Sequence, residues 1–181
     1  MILWKKIWGY LLADLEFRRY FSGARGDYDL SQPIKITHKK GTLYKCTSDD
    51  ECHFVGYEII DGQMYIFNSA KPGTRYGSAI HVDDAKVVPR HPQLDREDTF
   101  CQTWSLAWLS PKFRKYTLAK DPSLFGLCKM IARTHEFSNF IKANREVIDS
   151  WIHHEGSDLD SDWFVDTSKN MTIKEFRTLF N

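Results

Sequence analysis

Residues 53 to 70 read HFVGYEIIDGQMYIFNSA, and this stretch decides the fold. Two runs rich in β-branched and aromatic residues, FVGYEII and QMYIFN, flank Asp61 and Gly62, and Asp-Gly between such runs is the strongest short signal for a hairpin. A two-residue turn there pairs Ile60 with Gln63. Carried back along both strands, that register sets His53 opposite Ala70 and Asn68 opposite Val55, so the two polar side chains share a face as diagonal neighbours about 7–8 Å apart. An Asn oxygen at that distance accepts the imidazole N–H and fixes one tautomer. A bulge between turn and pair would send one of them to the other face.

Outward from the hairpin, IKIT (34–37) and TLYKC (42–46) read as strands and SGARGDYDLSQP (22–33) as a surface loop. Downstream, KPGTRYGSA is a loop, Ala85 to Val88 a short strand, and Pro89 and Pro92 bracket a turn. Next comes DTFCQTWSLAWL, from Asp98 to Leu109. Thr99 and Gln102 form a capping-box pattern that makes Thr99 the N-cap and Cys101 the second helical residue, where the helix dipole favours thiolate. Phe100, Trp104, Leu106, Trp108 and Leu109 equally suit a plain core helix. Beyond Pro111 the pattern is helical to the end. Asp121 and Pro122 open one helix, Ser138 caps the next, and Thr172 with Glu175 caps the last, with the acidic HHEGSDLDSDWF as an exposed loop between the last two.

The 181 residues are the size of one ordinary domain, and 42% hydrophobic with 14% aromatic residues argues for a packed globule. Strands first and helices later predict an α+β domain with the strands largely in one sheet. It divides into an N-terminal amphipathic helix (1–21), a core (34–110) and a helical region (111–181). In MILWKKIWGYLLADLEF, Lys5, Lys6, Asp14 and Glu16 interrupt the apolar run and no small-residue cleavage site follows, which predicts an amphipathic helix rather than a signal peptide or membrane span. Ile7, Trp8, Leu11, Leu12 and Leu15 form the packing face instead. With 25 basic against 24 acidic residues the net charge is +1, so no long-range field marks nucleic acid or an anionic membrane as partner. Four cysteines, Cys46, Cys52, Cys101 and Cys128, show no CxxC pair or regular framework, which predicts a reducing, intracellular setting.

A nucleophilic cysteine needs a base within hydrogen-bond reach and a third group to orient that base. Cys101, His53 and Asn68 supply these. Gln93, in HPQLDREDTFC, is placed to donate its amide to the oxygen of a tetrahedral intermediate, with the Cys101 N–H as second donor. Cys46, Cys52 and His53 lack the spacing of a zinc site, His153 and His154 diverge by about 100° on a helix, and His81 with Asp83 and Asp84 reads as a charged loop. No metal is expected. KFRKYTLAK (112–120) is a mild signal for nucleic acid or an acidic partner.

The order His53, Asn68, Gln93, then Cys101 opening a helix resembles the adenovirus-type and SUMO-protease-type cysteine peptidases, which carry a papain-like site in permuted order. The resemblance spans residues 34 to 110. The phrase FCQTWSL is also similar to proteins of large DNA viruses, including the African swine fever virus protease type, where Asn likewise stands third. Phe54 stands where many relatives carry Trp, and Gln102 where many carry Gly. The spacing from Gln93 to Cys101 is slightly long, which leaves Gln102 or a backbone group as the alternative oxyanion donor. Asp95 and Asp98 are alternatives to Asn68, which the hairpin favours.

That resemblance implies a papain-like fold with a central β-sheet and a catalytic helix, and hydrolysis of peptide or isopeptide bonds, often after Gly-Gly, by a Cys-His-Asn mechanism without cofactor. Its substrates would be viral precursor proteins or ubiquitin-like conjugates, in the host cytoplasm or virion. Two other classes compete: a catalytically inactive interaction or virion module that keeps the fold, and a nucleic-acid-associated factor using Lys112 to Lys120.

Overall fold

The computed structural model describes residues 11–12, 14–49, 51–93 and 98–146. Its elements are α1 (Leu15–Ser22), β1 (Gly26–Asp29), β2 (Lys40–Ser48), β3 (Glu51–Ile60), β4 (Gln63–Phe67), β5 (Lys86–Val87), α2 (Cys101–Leu109), α3 (Arg114–Thr117), α4 (Leu124–Ala132) and α5 (His135–Ala143). The chain is α+β, with a five-stranded mixed sheet in the order β1-β2-β3-β4-β5. Strands β2, β3 and β4 are antiparallel, and β1 and β5 join the two edges in parallel.

Two compact units are distinguished, Phe21–Ser123 and the combination of Met1–Tyr20 with Leu124–Asn181. The sheet, α2 and α3 lie in the first unit. In the second, α1 and α5 meet through Phe17 and Phe140, whose ring centroids are 6.0 Å apart. Leu11, Leu12 and Phe17 are buried, but Leu15, expected on the packing face, is 54% exposed.

The hairpin forms as its sequence predicts. Ile60 pairs with Gln63, and the ladder runs back to Gly56 opposite Phe67. Asp61 and Gly62 both take positive φ, 49° and 79°, the conformation that such a two-residue turn requires. On one face, Leu43, Val55, Tyr57 and Ile66 make a buried cluster. Gly56 looks to the other face, where a Cβ would stand 2.9 Å from the Trp108 ring and 3.1 Å from the Ser105 oxygen. Glycine there lets α2 lie against the sheet, and Phe67 stacks on Trp108 at 5.4 Å.

Several local expectations need correction. IKIT is not a strand; its place is taken by Gly26–Asp29, inside the segment expected to be a loop, which runs parallel to β2 with Asp27 accepting from Thr42 Oγ1 at 2.7 Å. Tyrosine hydroxyls hold the IKIT region instead of a ladder: the Thr37 N–H donates to Tyr28 Oη at 2.9 Å, and Tyr57 Oη donates to the His38 carbonyl at 3.0 Å. Leu124, rather than Pro122, opens α4. Thr134 caps α5, accepting from the Phe137 N–H, and Ser138 lies within that helix. The cap at Thr172 and Glu175, His153, His154 and the acidic loop lie outside the described residues.

Cys46 and Cys52 face each other across β2 and β3 and form a disulfide, beside a register shift between Cys46 and Ser48. Cys101 and Cys128 are buried thiols outside any disulfide. Four free thiols were expected; the antiparallel pairing brings two of them into bonding distance. Among the described residues no helix is long and apolar enough to cross a membrane.

Candidate active site

Strand β4 ends at Phe67, while β3 continues back to Glu51, so the first residues of β3 present open N–H and C=O groups on that edge. In an antiparallel ladder, these belong to alternate residues. Helix α2 takes them over. The Cys101 thiol donates to the Cys52 carbonyl (Sγ···O 3.8 Å), and the Ser105 hydroxyl lies 3.2 Å from the Phe54 carbonyl and 2.7 Å from the Cys101 carbonyl, sharing one proton between the two. Cys101 and Ser105 are one helical turn apart, which sets both side chains on the face that meets the strand. The Phe54 N–H is also directed at the sulfur. The thiol thus lies against the peptide groups on either side of His53.

His53 projects from the face opposite the one α2 covers, since it shares the parity of Val55 and Tyr57 rather than of Gly56. Asn68, just past the end of β4, is the hydrogen-bond partner of the His53 ring. His53 Nε2 and Asn68 Oδ1 are 2.9 Å apart, and both residues are buried. The diagonal contact expected from the hairpin is therefore present, although the ladder stops short of it. Ala70 pairs not with His53 but with Gln93, through an isolated parallel bridge.

The tautomer follows from the backbone. Asn68 Oδ1 also accepts the Ala70 N–H at 3.0 Å, and Asn68 Nδ2 donates to the Gly77 carbonyl at 3.2 Å. These two contacts fix which end of the amide is oxygen. His53 Nε2 is then the protonated nitrogen, and Nδ1 holds the lone pair. Burial lowers the His53 pKa and the Asn68 hydrogen bond partly restores it. Burial thus favours the neutral imidazole, with its lone pair at Nδ1. Tyr76 covers it at 5.6 Å between centroids.

The start of α2 differs from the expected capping box. Cys101 is the first helical residue, the N-cap is Phe100, and no side chain caps the helix. Thr99 is exposed. Asp98 organises the turn instead: Oδ1 accepts the Phe100 N–H at 3.0 Å and Oδ2 accepts Trp104 Nε1–H at 2.8 Å. A buried carboxylate with an indole donor is a stronger anchor than an exposed Thr hydroxyl. Nor is the thiol acidic. Burial pushes Cys101 up to about 11, opposed by the Phe54 N–H and reinforced by the nearby Asp98 charge. Desolvation outweighs the helix-end effect. All of α2 but Gln102 is buried, so the helix is also the core helix that its apolar residues suggested.

Gln93 is buried and bonded at both ends of its amide. Oε1 accepts from Ser69 Oγ at 2.8 Å, and Nε2 donates to the Asp98 carbonyl. It ties the end of β4 to the approach to α2. Asp95 lies outside the described residues. Tyr76, Gly77 and Ser105 carry no signal in the sequence; Asp98, the alternative to Asn68, bonds Phe100 and Trp104, while Asn68 bonds His53.

Among the described residues no group of His, Cys, Asp or Glu is arranged to hold a metal ion. Arg114, in the basic segment, donates to Glu58 at 2.5 Å and to the Trp108 carbonyl at 2.7 Å, and its guanidinium lies 4.8 Å from the Trp108 ring centroid. It braces α2 against β3 and is not a free cation for nucleic acid. Comparison with protein-family models, curated proteins and solved structures returned no match.

Proposed function

We propose that this protein is a cysteine peptidase, with Cys101 as nucleophile, His53 as base and then acid, and Asn68 as the group that orients the imidazole. One observation carries the reading: Asn68, its amide fixed by two backbone contacts, holds His53 as the Nε2–H tautomer beside the peptide groups that receive the Cys101 thiol. As the sulfur attacks a substrate carbonyl carbon, His53 Nδ1 takes the thiol proton. The S–C bond forms, and the carbonyl electron pair moves to oxygen. Collapse breaks the C–N bond while His53 protonates the leaving amine. Water, deprotonated by His53, then releases the acid from the thioester and restores the thiol. The Cys101 N–H and the second Gln93 Nε2 hydrogen are the candidate donors to the oxyanion, a term worth about 3 kcal/mol per donor.

The substrate class is a protein chain cut at a peptide or isopeptide bond, whether a viral precursor or a ubiquitin-like conjugate. A rival reading, an inactive module keeping this fold, is favoured by the burial of Cys101, which is 6% exposed. A Gly-Gly peptide carrying a carbonyl-directed electrophile separates them. On the peptidase reading it labels Cys101 in the native protein and spares Cys128; labelling of neither until the chain is unfolded leaves the inactive module.

A further inference from the structure

Beside the site lies a groove of about 370 Å³, lined by Lys71, Arg90, His91, Lys120 and Asp121 over a floor that includes Pro92 and Thr117. It holds three permanent cations and a histidine against one carboxylate. No carboxylate of the described residues pairs with Lys71, Arg90 or Lys120. Within the same unit Arg114 pairs with Glu58 and Arg75 with Glu51, both outside the groove. Among the described residues this leaves a local positive field with one carboxylate, Asp121, to offset it.

Its walls are fixed. On one side the Val88 N–H bonds the Ile66 carbonyl and the Arg90 N–H the Val88 carbonyl, both at 2.8 Å. His91 Nδ1 is 2.9 Å from the Asn68 carbonyl, and Gln93 N–H donates to the Ser69 carbonyl at 3.0 Å. On the other side Tyr116 Oη accepts the Ser123 N–H at 3.0 Å and closes the turn that bears Lys120 and Asp121. A preorganised charged groove loses little entropy on binding. It is also continuous with the site, since Lys71 follows Ala70 and His91 bonds to the backbone of Asn68.

We propose that this groove docks an acidic segment of a protein partner. On the peptidase reading, on which this last step rests, that segment belongs to the substrate and flanks the bond presented to Cys101. Charge complementarity selects the occupant. Three proline rings, Pro89, Pro92 and Pro122, give the groove apolar patches that suit the methylene stems of Asp and Glu. No Phe, Tyr or Trp lines it, so His91 is the one aromatic ring on which a base could stack, which disfavours single-stranded nucleic acid.

Fluorescein-labelled twelve-residue peptides test the inference against the full chain: one of mixed Asp and Glu, and one of the matching Asn and Gln. Anisotropy should show the acidic peptide binding at least tenfold tighter, with most of the difference lost in 0.5 M salt. Arg90→Glu combined with Lys120→Glu, both on exposed residues, should remove that preference, while Lys115→Glu should leave it within about twofold. Absence of binding, equal binding of both peptides, or no effect of the double change overturns the proposal. So does a twelve-nucleotide single strand that binds tighter than the acidic peptide and loses affinity through the same two changes. Electrophile labelling of Cys101 is read separately: acidic-peptide binding with an inert Cys101 keeps the docking groove and removes the peptidase.

Discussion

With its sulfur set among peptide groups and its proton retained up to about 11, Cys101 is a neutral thiol at physiological pH, bonded to the Cys52 carbonyl rather than ion-paired with an imidazole. A small alkylating agent that offers no carbonyl should therefore modify Cys101 more than about a hundredfold more slowly at pH 7 than an exposed cysteine. The rate should climb roughly tenfold per pH unit toward pH 11, which mass spectrometry after timed quenching measures; rapid modification at pH 6 would instead reveal a stored thiolate. On the proposed mechanism the peptide electrophile behaves differently, because His53 would remove the proton during attack. His53→Ala should lower its labelling rate by about 10²–10⁴ at pH 7 without changing the circular dichroism of the fold. Asn68→Ala leaves the buried Nε2–H without its acceptor, and should cost about 1–3 kcal/mol of stability as well as activity.

At the scale of elements, the hinge of the arrangement is the approach of α2 to β3 over Gly56. Gly56→Ala sets a methyl 2.9 Å from the Trp108 ring and 3.1 Å from the Ser105 carbonyl oxygen, and should destabilise by about 1–3 kcal/mol, seen as a lower midpoint in urea. The hairpin was legible because Asp61-Gly62 specifies both turn and register, and register carried His53 and Asn68 to one face. The helix was legible from its apolar run, but its first residue was not. Thr99 fitted the capping pattern locally, and the structure uses Asp98, whose partner Trp104 is chosen by tertiary packing. Strand β1 was hidden because GDYD has turn composition and gains its ladder only from β2. Tyr76 could not be singled out for the same reason: it meets His53 through a loop whose path no periodicity records.

For the whole molecule, the buried pair bounds the pH range of stability. His53 has its pKa lowered by folding, so its contribution is complete above the ordinary value of about 6.5 and is lost as pH falls below it. Cys101 has its pKa raised from 9.0 to about 11, so its contribution is complete below pH 9 and is lost as pH rises through 9 toward 11. A plateau between about pH 6.5 and 9 should appear in thermal melts, and Cys101→Ser should flatten the alkaline side, which is worth up to about 3 kcal/mol. The Cys46–Cys52 bond closes a short loop, sequence separation 6. Reducing it should cost about 2 kcal/mol and lower the melting temperature by several degrees.

Where β4 ends, β3 would offer bare hydrogen-bonding groups, a template on which a neighbouring chain could add a strand. Two small side chains, Cys101 and Ser105, shield it. The residue proposed to do chemistry is therefore also a guard against self-association. Peroxide that converts its sulfur to a bulkier, charged acid would both silence the site and uncover the edge, so oxidative inactivation and aggregation should arrive together.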